Sequence, residues 1–332
     1  MIERNSKSNK PSRRLPSKTI IMRTARIRLD HWEPTYYHCV NRVAGDPKYF
    51  PFGDIEKEKL FNLLTQLSVF YCVDIISFVV MSNHIHLICA ANPGLPPLDE
   101  VRRRWRAFND PDAHEPLWET SGTYERVAFR MRNISCLLKD LQQRFTCWFN
   151  RTRPSKRRGT LWSGRFKSNV LEKGEALWSC VKYVEMNPVR AKICDRAEDY
   201  RFSTWGRLHG SGHHPFSNSF QKHIRLYLGE RAFGWDDQQV VAEMNAAMAM
   251  QAAAEAGASQ DEIQETGIEA RACPRFKTTL LRRVRYWTDG TVIGSKTFLR
   301  EVEAIIRQRA SASKRFDRSD NTSIFSYRQL RT

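Results

Sequence analysis

Residues 72–90, "CVDIISFVVMSNHIHLICA", constrain the fold more than any other stretch of the chain. The run is too continuously apolar for a one-sided helix and is rich in β-branched residues, which favour strands. Ser82-Asn83 interrupts it at its middle and suits a short turn. The stretch therefore reads as a hairpin of two strands, 73–81 and 84–90. Side chains alternate across a strand, so His84 and His86 share one face and Ile85 and Leu87 the other. Two imidazoles this close are either a pair of satisfied core histidines or two ligands for one divalent cation. The hairpin alone leaves both readings open.

Strands and helices alternate around it. "YYHCVN" (36–41) reads as a strand. "DIEKEKLFNLLTQLSVF" (54–70) reads as a helix with Asp54 at its cap and Leu60, Leu63, Leu64 and Leu67 on one face. "NPGLPP" breaks the chain, and residues 95–128 are polar without a clear period and read as an insertion. A helix is expected from Phe129 to Asn150, where Ile134, Leu137, Leu138, Leu141, Phe145, Trp148 and Phe149 follow helical spacing. The basic loop "RTRPSKRRG", a strand at "RFKSNVLE" and a helix at "KGEALWSCVKYVEM" follow, the last stopped by Asn187-Pro188. This order predicts an α+β fold with a ferredoxin-like antiparallel sheet and its helices on one face.

Three regions follow from composition. Residues 1–30 read as a basic flexible arm, 31–210 as the α+β domain and 211–332 as a helical C-terminal extension. The extension holds an Ala/Met-rich helix (236–257) and two further helices, 276–287 and 295–309, with Ser295 as cap of the second. "TDGTVIG" separates that pair, which is either a helix-turn-helix-like DNA reader or an extension packed on the core.

The net charge is +18, from 54 Lys and Arg against 36 Asp and Glu. Nucleic acid is the expected partner of so basic a chain. No stretch approaches the ~18 apolar residues of a membrane span, so no membrane partner is expected. The N-terminus lacks the apolar core of a signal peptide, which points to a cytoplasmic location. The eight cysteines form no CxxC pair, which argues against a structural zinc site.

A second constellation is "CVKYVEMNPVRAKI" (180–193), with Tyr183 and Asn187 one helical turn apart. Asn187 offers an amide oxygen to Mg²⁺ or Mn²⁺. Tyr183 offers a phenol, or is simply a surface tyrosine of its helix. A phenol with a pKa of about 10 is a weak nucleophile at neutral pH, yet it forms covalent intermediates on an activated target. A metal held by two histidines and an amide can polarise a phosphodiester for in-line attack. No dedicated general base is evident, and Glu185 should point away from Tyr183. Candidate DNA contacts are Lys156, Arg157, Arg158, Trp162, Arg165 and Lys167, with Arg190 and Lys192 after the tyrosine helix. The cations would hold phosphate while Trp162 and Phe166 stack on unpaired bases, unless these two rings belong to the core.

"YYHCVNR", "VVMSNHIHLI", "LWSGRFKS" and "YVEMNPVRAKI" together resemble, in this order, the HUH single-tyrosine transposases, and among them the REP-associated tyrosine transposases. The resemblance covers residues 30–205, including "EDYRFSTWG" after the tyrosine helix. It implies a ferredoxin-like core that cleaves and rejoins single-stranded DNA near hairpin ends. It implies His84, His86 and Asn187 as ligands of a divalent metal, Mg or Mn, and Tyr183 as the nucleophile that forms a 5′-phosphotyrosine. Glu185 stands where relatives often carry His or Tyr. The insertion and everything beyond 215 depart from the minimal family. Two alternatives stand beside the transposase: a domesticated hairpin-binding protein that does not cut, and an HUH relaxase or replication initiator. The sequence leaves open whether the chain works alone or as a homodimer.

Overall fold

The computed structural model of the chain describes residues 33–154, 156–255, 257–265 and 291–309, with residues 27, 29, 287, 315–317 and 325–328. The expected arm over 1–30 lies outside these residues except at 27 and 29, and the expected helix 276–287 except at Trp287. The chain runs β1 (Thr35–Arg42), α1 (Asp54–Phe70), β2 (Val73–Val80), β3 (His84–Ala91), α2 (Leu98–Phe108), α3 (Thr123–Met131), α4 (Ile134–Thr152), β4 (Lys167–Leu171) and α5 (Glu175–Glu185). It continues through α6 (Asn187–Arg190), α7 (Thr204–Ser211), α8 (Ser217–Leu228), α9 (Asp237–Glu255), α10 (Gln260–Glu265), β5 (Val292–Gly294), α11 (Lys296–Arg309), β6 (Arg315–Asp317) and β7 (Phe325–Arg328).

The fold is α+β. Strands β2, β3, β1 and β4 lie side by side in that order, each antiparallel to its neighbour. With α1 and α4 as crossovers, this is the expected ferredoxin-like arrangement. The sheet does not stop there. β5 adds to β4 in parallel, and β7 and β6 follow antiparallel. The extension expected to be helical thus contributes strands. They escape a reading by pattern because β5 spans only three residues.

Helices cover both faces of the sheet, not one. Side chains directly opposite on paired strands share a face. Phe78 lies opposite Leu87, and its ring meets Phe61 of α1 at 5.0 Å, with α4 packed on α1. Ser77 lies on the other face and donates to Glu185 of α5 at 2.6 Å. On that second face His223 of α8 joins Tyr36 Oη at 3.0 Å and Asp74 Oδ2 at 2.9 Å, beyond the boundary expected at 210. Both faces need cover because β3 is apolar on each, with Ile85, Leu87 and Cys89 on one side and Ile88 and Ala90 on the other.

Three further expectations are corrected. Gly53, not Asp54, occupies the cap of α1, and its N–H donates to Glu56 Oε2 at 2.9 Å. The insertion is ordered into α2 and α3. Leu98, Val101, Trp105 and Phe108 form the apolar stripe of α2, Val101 fully buried and the others partly buried against the core, so the helical period is present among the charges that mask it. Glu100 pairs there with Arg103 and Arg104, and Arg104 Nη1 also donates to the Ser68, Val69 and Tyr71 carbonyls at the end of α1. Finally, the single helix expected over 129–150 is two, because Asn133 stops α3 and caps α4 by accepting from Ser135 N–H at 2.9 Å. As expected, Ser295 caps α11, with Phe298 N–H on its hydroxyl at 3.2 Å. Among the described residues no helix is long and apolar enough to cross a membrane.

The hinge of this architecture is α5, whose residues from Ala176 to Glu185 are all buried. Glu185, 1% exposed, accepts from Ser77 Oγ, Thr204 Oγ1 and Trp205 N–H, tying α5 to β2 and α7. Burial raises its pKa and the hydrogen bonds oppose that rise. Glu185→Ala strands three buried donors, each costing ~1–3 kcal/mol when unmet. We expect a fall of at least ~2 kcal/mol in unfolding free energy by urea titration. An unchanged midpoint would show that this carboxylate does not hold α5.

Candidate active site

His84 and His86 stand at the start of β3, their ring centroids 5.0 Å apart. Asn83, in the turn before them, donates Nδ2 to the Pro47 carbonyl at 2.9 Å. That bond fixes which way the amide points, so Asn83 Oδ1 faces His84 Nδ1 at 2.8 Å and must accept its hydrogen. His84 Nε2 is left with its lone pair. His86 is buried, and its Nδ1 lies 2.9 Å from His38 Nε2 of β1. On both histidines, then, Nδ1 is engaged and Nε2 is the nitrogen left for a ligand role.

Burial lowers the pKa of His84 to about 4, helped by the charge of Arg42, and burial likewise lowers His38 to about 4. His86 is held well below the ordinary value, by burial first and then by His84, His38 and Arg190. All three are neutral at pH 7, the form in which imidazole binds a metal.

Tyr183 comes to this pair from α5. Its ring centroid is 6.1 Å from that of His86 and 6.1 Å from that of His38, edge-on to both. Trp287 stacks on it at 5.7 Å, and Tyr183 is only 3% exposed. Arg190 sets its guanidinium 4.7 Å from the ring centroid and donates Nη1 to the Tyr183 carbonyl at 2.6 Å. Asn187 opens α6 and turns Nδ2 back onto the Tyr183 and Val184 carbonyls at 3.1 and 3.3 Å. Its Oδ1, the ligand-capable atom, has no hydrogen-bond partner among the described residues. Among those residues no three His, Cys, Asp or Glu side chains form a metal cluster, so a third donor would be an amide, water or substrate oxygen. Two imidazoles and one amide oxygen fit a divalent ion of the Mn²⁺ type, and Mg²⁺ less closely.

The DNA-contact candidates divide. Lys156, Arg158, Arg165, Lys167 and Lys192 are exposed. Lys167 lies opposite Val40, which lies opposite His86, so Lys167 projects from the histidine face. Arg157 braces its loop through Asn150 Oδ1 at 2.9 Å and the Thr160 carbonyl at 2.7 Å. Trp162 departs from the stacking expectation. It is 6% exposed, with its ring 5.9 Å from Phe52 and 6.0 Å from Phe145, so it offers no open plane to a base. Phe166 is buried too. The core reading of these two rings holds, Trp162 filling the space between Phe52 and Phe145 of α4.

Two residues at the site were not singled out from sequence. His38 sat in a strand motif as one polar residue among aromatics, which was a usable signal. Trp287 had none, since nothing local ties it to a tyrosine over a hundred residues away.

No family model matches the chain, and no curated protein matches it in sequence. Among solved structures the chain is similar to a REP-associated tyrosine transposase solved bound to a REP hairpin, at 17% identity and a TM-score of 0.39. The likeness covers 57% of this chain and 87% of that one.

The histidines make stability depend on pH. His38, His84 and His214 take up protons near about 4 when folded and near 6.5 when unfolded. Between those values the unfolded chain binds more protons, so stability is whole above 6.5 and is lost as pH falls towards 4. Thermal melts followed by circular dichroism should show a level midpoint above that window and a steep fall within it. A level midpoint throughout would mean that these rings are solvated.

Proposed function

We propose that this protein is a metal-assisted single-stranded DNA endonuclease and strand transferase of the transposase kind, acting at hairpin DNA with Tyr183 as nucleophile. One observation carries the reading: the Tyr183 ring lies against His86 of its own chain, while His84 and His86 turn their Nε2 atoms free. A core pair of histidines has no need of a phenol ring packed against it, and Asn187, one helical turn beyond Tyr183, keeps an amide oxygen without a partner among the described residues.

His84 Nε2, His86 Nε2 and Asn187 Oδ1 would hold the divalent ion, Mn²⁺ or Mg²⁺, which when bound polarises the phosphodiester. Tyr183 Oη then attacks phosphorus in line. The new P–O bond makes a 5′-phosphotyrosine, the bond to the 3′ oxygen breaks, and the proton the phenol gives up to water is matched by the one the 3′ oxygen takes up to become a 3′-hydroxyl. Phosphodiester energy is conserved, so a second strand end can reverse the step elsewhere without ATP. Arg190 grips Tyr183 by ring and carbonyl and puts a positive charge where the phosphate must come. Lys156, Arg158, Arg165, Lys167 and Lys192 supply exposed cations for the flanking backbone, in keeping with the net charge of +18.

A second reading, a hairpin-binding protein that does not cut, is favoured by the cover over the tyrosine. Tyr183 is 3% exposed, with Trp287 stacked on its ring, which suits a structural tyrosine. One experiment separates the two. Purified protein is incubated with hairpins bearing single-stranded tails in Mn²⁺, and covalent adducts are resolved on denaturing gels. The nuclease gives an adduct that is absent in Tyr183→Phe and in EDTA. It falls more than about 100-fold in His84→Ala, while hairpin binding changes little, since phosphate contacts dominate that affinity. No adduct on any hairpin supports the binder. An adduct that survives Tyr183→Phe removes Tyr183 from the role.

A further inference from the structure

We infer that His38 is a positioning residue that fixes the ring hydrogen of His86 on Nδ1, so that Nε2 keeps the lone pair a metal requires, and that the relay starts at the backbone carbonyl of Trp287. The inference deepens the proposed function and rests on it for the role of His86.

The direction of each hydrogen follows from the partners. A backbone carbonyl only accepts. The Trp287 oxygen lies 3.0 Å from His38 Nδ1, so that nitrogen carries a hydrogen. His38 is fully buried and no carboxylate is among its partners, so it is a neutral imidazole with that one hydrogen. Its Nε2 is therefore an acceptor. His86 Nδ1, 2.9 Å away, must donate to it, and the lone pair of His86 moves to Nε2. The two rings lie 8° from parallel, which holds both nitrogens of the pair in plane. Both nitrogens of His38 are consumed in this relay, so His38 is not itself a third ligand. His84 reaches the same state by another route, through the Asn83 amide oxygen. Two unrelated acceptors, one on a neighbouring strand and one in the turn, thus present two Nε2 atoms alike.

The Trp287 oxygen is itself held in place. It also accepts from Asn169 Nδ2 of β4, so β4 fixes the carbonyl from which the relay starts. The residue that stacks on Tyr183 through its ring, Trp287, is therefore also the one whose backbone carbonyl starts the relay. Partners that orient a metal-binding histidine in this way are worth about 10–100-fold in metal affinity.

The test is made on the full chain, free of metal and DNA, with histidine rings labelled with ¹⁵N. Long-range ¹H–¹⁵N correlation spectra should show His38, His84 and His86 all protonated on Nδ1. In His38→Leu the signal of His86 should move to the Nε2–H pattern, and Mn²⁺ affinity by titration calorimetry should fall about 10–100-fold. His38→Gln offers an amide oxygen to His86 Nδ1, and should return both the tautomer and most of the affinity. Finding His86 protonated on Nε2 in the wild type overturns the inference. So does a His38→Leu variant with unchanged tautomer and affinity, or a His38→Gln variant no better than Leu. If His38→Leu does not fold, the wild-type spectrum and the Gln variant decide. These readouts need no cleavage. An intact tautomer pattern with no covalent adduct sinks the nuclease alone, and the reverse result sinks the relay alone.

Discussion

The pairing of β1 with β3 is the constraint on which the site depends. Its register sets Arg42 opposite His84 and Val40 opposite His86, which brings His38 diagonally beside His86. A slip of one residue would turn every side chain of β3 to the other face. The imidazoles would then point at α1 and Leu87 at the tyrosine. The register is held because β3 lies between two strands, so a slip would have to break its pairing with β1 and β2 at once.

Opposite this strand, α5 must be held at a fixed height for Tyr183 to meet His86. A buried carboxylate does this. Glu185 reaches Ser77 on β2, which pairs with β3, and Thr204 on α7, so the tyrosine helix is gauged against the sheet that carries the histidines. A charged or polar anchor of this kind is costly to bury, but once satisfied it admits few alternative placements. The same face is closed at its other end by Asp74, His223 and Tyr36. The C-terminal segments then complete the site, through β5 at the sheet edge and Trp287 over the tyrosine. An extension that looks dispensable beside the minimal family is part of the wall of the candidate centre.

Much of this was legible beforehand. The hairpin at 73–90, the helix from Asp54, and the face shared by His84 and His86 all follow from local pattern, and each is observed. The misreadings have physical causes. The α2 helix hid because the charged residues between Leu98, Val101, Trp105 and Phe108 mask an apolar stripe that packs on the core. For Trp162 and Phe166 the sequence left core packing and base stacking both open, because aromatic residues among cations have the same composition in a core as on a DNA surface, and burial decides for the core. The second layer of helices was missed although β3 is apolar on both parities, which is itself the mark of a strand covered twice.

By itself the sequence determined the alternation that builds the four-stranded core, the paired imidazoles on one strand face, and the turn of helix separating Tyr183 from Asn187. These depend on periods of two and about four residues, which a chain displays without folding. Only the tertiary structure decided that Tyr183 meets His86, that Glu185 anchors its helix, and that His38 stands between His86 and the Trp287 carbonyl. Those contacts join residues between 19 and 249 positions apart. Their partners are chosen by sheet register and by the need to satisfy buried polar groups, and no local pattern records either.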